Sequence, residues 1–286
     1  SWLRSRLGRT ASSWRWRTVY VRAKLDHLLA HHGHISPEAR KLLAPLLDGE
    51  MPRRAAIREV YVSSGGDFGS TRIGADDFGG VELGATVLYG ELLSALAARA
   101  ALRADIAIHR PMQATEVRQR PDGADVVLAG GSTLRAALAV RAEGGPASPS
   151  TAVEDWAIIA DLRLRPRQNN LPAGAAFERF TRSGPLALLP TPTSGGDSAQ
   201  RGFAVVWCMS DRDARRRSAL GDAELLVELN SAVGPRIGTV TAIGARRAVA
   251  LPQRIRDQVH EQRVVARGNA AQTLHPVAGQ GFNLGL

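Results

Sequence analysis

Apolar positions recur with two different periods along this chain, and the changes of period mark out its elements. Leu92, Leu93, Leu96 and Ala100 fall on one face at helical spacing, which predicts a helix over 89–102 entered from an apolar strand near 84–88. Alternation in Arg58-Glu59-Val60-Tyr61-Val62-Ser63 predicts a strand, and Gly65-Gly66-Asp67-Phe68-Gly69 a loop after it. Further strands are expected near 105–109, 113–119, 125–129 and 133–140, with a turn at Arg120-Pro121-Asp122-Gly123. Four more, near 156–164, 177–181, 185–189 and 203–209, read as an antiparallel sheet covered on one face. Asp222 is placed to cap a helix over 223–233 that Gly234-Pro235 ends. Strands near 238–243 and 246–250 then lead to a short apolar run, Val264-Val265-Ala266, and a glycine-rich terminus.

The opening of the chain follows neither period as clearly. Leu25, Leu28 and Leu29 suggest a helix over 21–31, and a second over 37–47 has Ser36 as its cap and Pro37 at its first position. Trp2, Trp14 and Trp16 stand among arginines with no repeat that would bury them together. His31-His32-Gly33-His34 has no carboxylate or cysteine close by, so it reads as a polar turn and no metal site is expected.

Composition narrows the class. With 286 residues and 44% hydrophobic content the chain can bury a core of one or two domains. No run approaches the ~20 apolar residues of a membrane span, and the start lacks the apolar stretch of a signal peptide, which points to the cytoplasm. One cysteine, Cys208, excludes an intramolecular disulfide, and its apolar surroundings in 203–209 suggest a buried structural thiol. A net charge of +10 raises the question of an anionic partner. The basic residues are arginines apart from Lys24 and Lys41, and the densest group, 212–217, has Asp211 and Asp213 beside it. A solvated face is the plain reading, attraction to anionic lipid the next; without a recognition motif no nucleic acid is expected.

Chemistry is concentrated at the end. The chain has neither Gly-x-Ser-x-Gly nor Gly-x-Gly-x-x-Gly, and Gly65-Gly66 and Gly79-Gly80 lie outside any strand-to-helix crossover. What remains is Gly268-Asn269-Ala270-Ala271-Gln272-Thr273-Leu274-His275-Pro276 followed by Gly279-Gln280-Gly281-Phe282-Asn283-Leu284-Gly285. Strand, loop and helix start in succession let backbone approach a ligand closely, and N–H groups there favour an anion or an electron-rich edge.

This stretch resembles the second flavin-binding signature of the FAD-dependent aromatic-ring hydroxylases of ubiquinone biosynthesis, the 2-octaprenyl-6-methoxyphenol hydroxylase type in particular. Ile57-Arg58-Glu59-Val60-Tyr61-Val62-Ser63, Phe177-Glu178-Arg179-Phe180-Thr181 with Gly184-Pro185-Leu186-Ala187-Leu188-Leu189-Pro190, and Val205-Val206-Trp207-Cys208 agree with the same family in the same order. The likeness covers roughly residues 52–286. It implies an α/β (α+β) fold of the p-hydroxybenzoate-hydroxylase kind, an FAD-binding domain with an inserted antiparallel-sheet substrate domain. The segments would be 1–50, irregular and without a dinucleotide-binding βαβ unit; 51–150, part of the FAD-binding domain; 151–255, the substrate domain; and 256–286, the return to the FAD-binding domain.

By motif position Gly268 and Asn269 would face the ribityl and phosphate part of FAD, and Pro276 would lie beside the isoalloxazine ring. The backbone of Gly279, Gln280, Gly281, Phe282 and Asn283 would approach its pyrimidine edge, and a helix N-terminus there would favour charge on reduced flavin. No catalytic acid or base is named, and His275 is expected to be structural. The resemblance further implies an external reductant such as NAD(P)H, O2 and a polyprenylated phenol as substrates, membership of a ubiquinone-biosynthesis protein complex, and peripheral contact with the cytoplasmic face of the inner membrane.

Departures from the pattern are informative too. Asn269 stands where many flavin hydroxylases have Asp, and Glu143-Gly144 where they have Asp-Gly. The family's opening glycine-rich βαβ is not found in 1–50, and the chain stops just inside the helix begun at Gly281. The expectation is a chain incomplete at both ends, with a non-catalytic remnant or interaction module that does not retain FAD as the alternative.

Overall fold

The computed structural model of the chain describes residues 18–21, 32–66, 69–142, 144, 155–167, 171–192, 200–275 and 281–285. In chain order the first half runs β1 (Thr18–Val21), β2 (His32–Ile35), helix α1 (Pro37–Leu43), β3 (Arg54–Ile57), β4 (Glu59–Ser64), β5 (Ser70–Gly74), β6 (Gly84–Leu88), helix α2 (Tyr89–Ala101), β7 (Ile106–His109), β8 (Ala114–Arg120), β9 (Gly123–Leu128), β10 (Thr133–Ala136) and β11 (Ala139–Arg141).

Helix α1 starts where the sequence puts it. Ser36 Oγ accepts the Ala39 N–H at 3.1 Å, and Pro37 occupies a position that needs no donor. Ala39, Leu43 and, in the 3-10 turn that follows, Leu47 then recur on one side at a spacing of four and are buried. They meet Ile35, Val87 and Leu92 in a single apolar cluster, and burial of a side chain such as Leu43 contributes about 2 kcal/mol. β2 and β3 flank β6 as antiparallel neighbours above this cluster. Residues 32–47 are therefore ordered and share a core with residues beyond 51, which corrects the reading of this part of 1–50 as irregular. The helix expected over 21–31 begins on Val21, which ends β1 against β7; 22–31 and the tryptophans at 2, 14 and 16 lie outside the described residues.

The second half runs β12 (Asp155–Pro166), β13 (Ala175–Thr181), β14 (Gly184–Pro190), β15 (Arg201–Ser210), helix α3 (Asp211–Ala219), helix α4 (Asp222–Val233), β16 (Gly238–Ile243), β17 (Arg247–Ala250), β18 (Arg254–Ile255), β19 (Val264–Ala266), β20 (Gln272–Thr273) and the short helix α5 (Gly281–Gly285). Its centre is a sheet in the order β16-β12-β15-β14-β13-β4-β5, with β17 also paired to β12. The four expected strands are antiparallel to one another, but β13 is parallel to β4, so the sheet recruits residues 59–74 from the first half. One face is packed under α3 and α4: Ile158, Phe177, Leu186, Leu188, Val205 and Trp207 meet Ala214, Leu225, Leu229 and Val233.

Three local readings change. The arginine group at 212–217 is helical, capped by Ser210 Oγ accepting the Asp213 N–H at 3.2 Å. Helix α4 is capped by Gly221, whose N–H reaches Glu224 Oε2 at 3.0 Å, one residue before the expected Asp222. The strand expected over 133–140 divides, because β10 stays antiparallel to β9 while β11 leaves to pair in parallel with β19.

Candidate functional site

β11 and β19 bring two distant turns together. Their parallel register sets Ala139 beside Val264 and Arg141 beside Ala266, and the Arg267 N–H extends the ladder to Arg141 O at 2.8 Å. Both chains therefore leave the pair side by side at the C-terminal end of the strands, where ligands of open α/β sheets bind. One carries Gly144 at φ +63°, the other Gly268 at φ +56°, conformations that glycine adopts without strain. A Cβ at Gly144 would lie 3.7 Å from Asn269 Cβ, while one at Gly268 would meet nothing within 4 Å. Gly268–Ala270 forms a 3-10 turn with Asn269 exposed.

A side chain outside the sequence prediction holds that turn. Arg256 Nε donates to Ala270 O at 3.0 Å, and the Arg256 N–H to Ala271 O at 3.0 Å, alongside the β18–β20 pair. Arg256 sits in a polar connection with no periodicity, so only the tertiary contact reveals it.

The end of the glycine-rich element folds back against this turn through α5. Phe282 packs on the cluster of Ile35, Leu43 and Leu92, edge-on to Tyr89 with ring centres 6.4 Å apart. Asn283 Oδ1 accepts the Ser36 N–H at 2.9 Å, and its Nδ2 lies 3.3 Å from His34 Nδ1. The side chains of Phe282 and Asn283 thus anchor the element, and a Cβ added at Gly281 would meet nothing within 4 Å. Pro276, Gly279 and Gln280 lie outside the described residues. With five residues described, α5 is too short to carry the charge effect expected of a helix N-terminus.

Elsewhere the candidates resolve as structure. Cys208 is buried and burial pushes its thiol up to about 12, so it stays protonated and is no nucleophile. The arginines of α3 are paired: Arg215 with Asp211, Arg216 and Arg217 with Glu228. Among the described residues no group of histidine, cysteine and carboxylate side chains is arranged to hold a metal, and no helix is long and apolar enough to cross a membrane. A cavity of about 440 Å³ lies between Arg53, Leu88 and Glu91 on one side and Asp161, Arg163 and Ile243 of the sheet on the other, and none of its lining residues belongs to 268–283.

The turn residues fit a flavin. Two glycines with unobstructed backbone and one exposed amide side chain, on adjacent parallel strands, form a cradle that any Cβ at Gly268 would enter. The FAD binding domain family matches residues 86–286, well over half of the chain. Ubiquinone hydroxylase UbiL of Rhodospirillum rubrum is 30% identical over 185 residues, 62% of this chain and 41% of that protein. The 3-demethoxyubiquinol 3-hydroxylase of Escherichia coli is 29% identical over 185 residues, 63% of this chain and 45% of that one. The matched stretches span less than half the length of these relatives. Among solved structures, Pseudomonas aeruginosa PqsL in complex with 2-aminobenzoylacetate has a TM-score of 0.68 at 17% identity, covering 94% of this chain and 76% of its own. The p-nitrophenol 4-monooxygenase PnpA of Pseudomonas putida has a TM-score of 0.66 at 12% identity, covering 92% and 68%; both likenesses concern the fold, that of p-hydroxybenzoate-hydroxylase-type flavoproteins. The paired turns, the fold and the matched stretch agree: this chain belongs to the FAD-binding-domain family, with FAD-dependent hydroxylases of ubiquinone biosynthesis among its relatives.

Proposed function

We propose that the chain is part of an FAD-dependent monooxygenase that hydroxylates a polyprenylated phenol in ubiquinone biosynthesis. The observation that carries this reading is the meeting of Gly144 with the Gly268–Asn269 turn at the ends of β11 and β19, within the stretch that matches the family. When bound, FAD supplies reduction by an external donor such as NAD(P)H, activation of O2 and transfer of one oxygen atom to the ring. The protein's task is to hold, orient and keep dry. Gly268 and Asn269 take the ribityl and phosphate part, the exposed Asn269 amide offering a donor and an acceptor. Pro276 and the backbone of 279–283 border the ring, Phe282 and Asn283 anchoring that segment from behind. The sheet face turned away from α3 and α4 forms the floor on which an apolar phenol lies out of water.

Flavin retention tests it. The purified chain mixed with FAD and desalted is expected to keep flavin absorbance, and to consume O2 with NAD(P)H faster when a prenylated phenol is added. A chain that releases all of its flavin on desalting supports the non-catalytic alternative. Peripheral membrane contact and assembly with other proteins of the pathway belong to the same proposal, the first because a polyprenylated substrate partitions into lipid. Flotation with anionic liposomes at low salt checks the membrane contact, and failure to float counts against it.

A further inference from the structure

One carboxyl group in the sheet has no structural duty. Glu178 stands in β13, and its neighbours Phe177 and Arg179 point toward the helices, where Phe177 joins the core and Arg179 Nε donates to Ala232 O of α4 at 2.9 Å. Side chains alternate along a strand, so Glu178 points to the opposite face. The register puts it in a row with Val62, Ala187, Val206 and Ile159. On either side of that row the same face carries Ala176, Ala204, Ala157 and Cys208, all buried. Across β13, β14 and β15 Glu178 is thus the single carboxylate on a floor of small apolar side chains. Its Oε1 is buried and has no hydrogen-bond partner.

Such an atom is costly unless a donor arrives. Arg72, Arg179 and Arg217, the arginines nearest in the sheet and its helices, are committed to other partners. The 440 Å³ cavity opens on this same face, since its Asp161 lies two residues along β12 from Ile159 of the Glu178 row. A flat apolar molecule with one hydroxyl donor matches such a floor, whereas an anionic ligand is repelled by the carboxylate.

We propose that Glu178 is the residue that receives the substrate's phenolic hydroxyl, Oε1 accepting its hydrogen bond. This rests on the reading of the chain as a phenol hydroxylase. The hydrogen bond draws the hydroxyl proton toward Oε1 and leaves electron density on the phenol oxygen, which enriches the ring positions that are to be oxygenated. If the proton moves fully, phenolate and a neutral Glu178 carboxyl result and charge is conserved. Burial pushes the Glu178 carboxyl up to about 7, so it gains and loses its proton near neutral pH, as suits such an acceptor.

Calorimetric titration with ortho-allylphenol and with its methyl ether, which lacks the donor, tests the assignment in the FAD-supplemented chain. The unaltered chain is expected to prefer the phenol by about tenfold or more, with the preference growing as pH rises through about 7. Glu178→Ala is expected to abolish the preference. Glu178→Gln, isosteric and free of a buried charge, is expected to fold normally, keep a part of the preference and lose its dependence on pH. Retention of the full preference and pH profile in both variants, or equal binding of phenol and ether by the unaltered chain, overturns the assignment alone. Failure of the unaltered chain to bind either compound overturns the phenol hydroxylase reading with it.

Discussion

The guanidinium carbon of Arg217 lies 4.0 Å from the centre of the Trp207 ring. The residue is 7% exposed, donates to Glu228 at 2.9 Å and to Ser183 Oγ at 2.9 Å, and so joins β15, α3, α4 and the β13–β14 turn. What the sequence presents as a charge cluster on a solvated face is in this one member a core residue. Replacing Arg217 by Ala strips the indole of its cation and leaves Ser183 and Glu228 short of a partner. The expected loss is about 3 kcal/mol in urea unfolding, with Arg217→Lys at about half of that because an ammonium lacks the planar fork. An unchanged midpoint for Arg217→Ala would contradict the buried role.

Glu228 receives the other end of this arrangement. Hydrogen bonds from Arg216, and then Arg217, hold its carboxyl down at about 2 against an ordinary 4.5. A depressed carboxylate contributes stability that is complete above 4.5 and is lost as pH falls toward about 2, because the unfolded chain takes up the proton first. In Glu228→Gln that contribution is missing at every pH. The difference in Tm between the two proteins is therefore expected to be largest above pH 4.5 and to close toward pH 2, a trend that thermal scans at several pH values read directly.

Two glycines with positive φ separate strain from crowding. Gly184, at φ +136°, starts β14 where an added Cβ would come 2.5 Å from Cys208 O; Gly130, at φ +96°, has nothing within 4 Å of the same point. Gly130→Ala meets only backbone strain and is expected to cost about 1 kcal/mol. Gly184→Ala must also displace the main chain of β15, and its cost is expected to exceed about 2 kcal/mol. Chemical denaturation of the two variants side by side gives the order, and equal costs would mean that β15 moves freely.

Much of this architecture is legible in the sequence because local signals and tertiary outcome coincide. Ser36-Pro37 starts α1, the stripe through Leu92 and Leu96 makes α2, and alternation in 177–209 yields the antiparallel strands. Readings fail where a partner from far along the chain decides. Val140 continues an alternating strand by pattern, yet β11 turns away because Val265 supplies a parallel neighbour. Ala39, Leu43 and Leu47 form a visible stripe, but that it faces Val87 and Phe282 is not encoded locally. The flavin motif is legible as a string of glycines, whereas Arg256 and Glu178 stand out only through what they touch or fail to touch.

The anchoring of the glycine-rich element gives the last expectation. Asn283 contributes its side chain to Ser36 rather than to the ligand side, and the same Ser36 caps α1, so the C-terminal segment and the start of α1 are fastened at one point. Asn283→Ala leaves the Ser36 N–H without its acceptor, a loss of about 1 kcal/mol, and loosens α5. If the backbone of 279–283 borders the flavin, this loosening weakens FAD binding by several-fold up to roughly tenfold although the asparagine side chain touches none of it. Gly268→Ala is the complement: its Cβ enters open space at φ +56°, costs about 1 kcal/mol of backbone strain, and stands directly in the proposed cradle. Fluorescence titration with FAD is expected to show weaker binding for both, with Gly268→Ala the weaker. Normal affinity in Gly268→Ala would remove FAD from the Gly144–Asn269 turn, while normal affinity in Asn283→Ala alone would leave the turn in place and separate α5 from the cofactor.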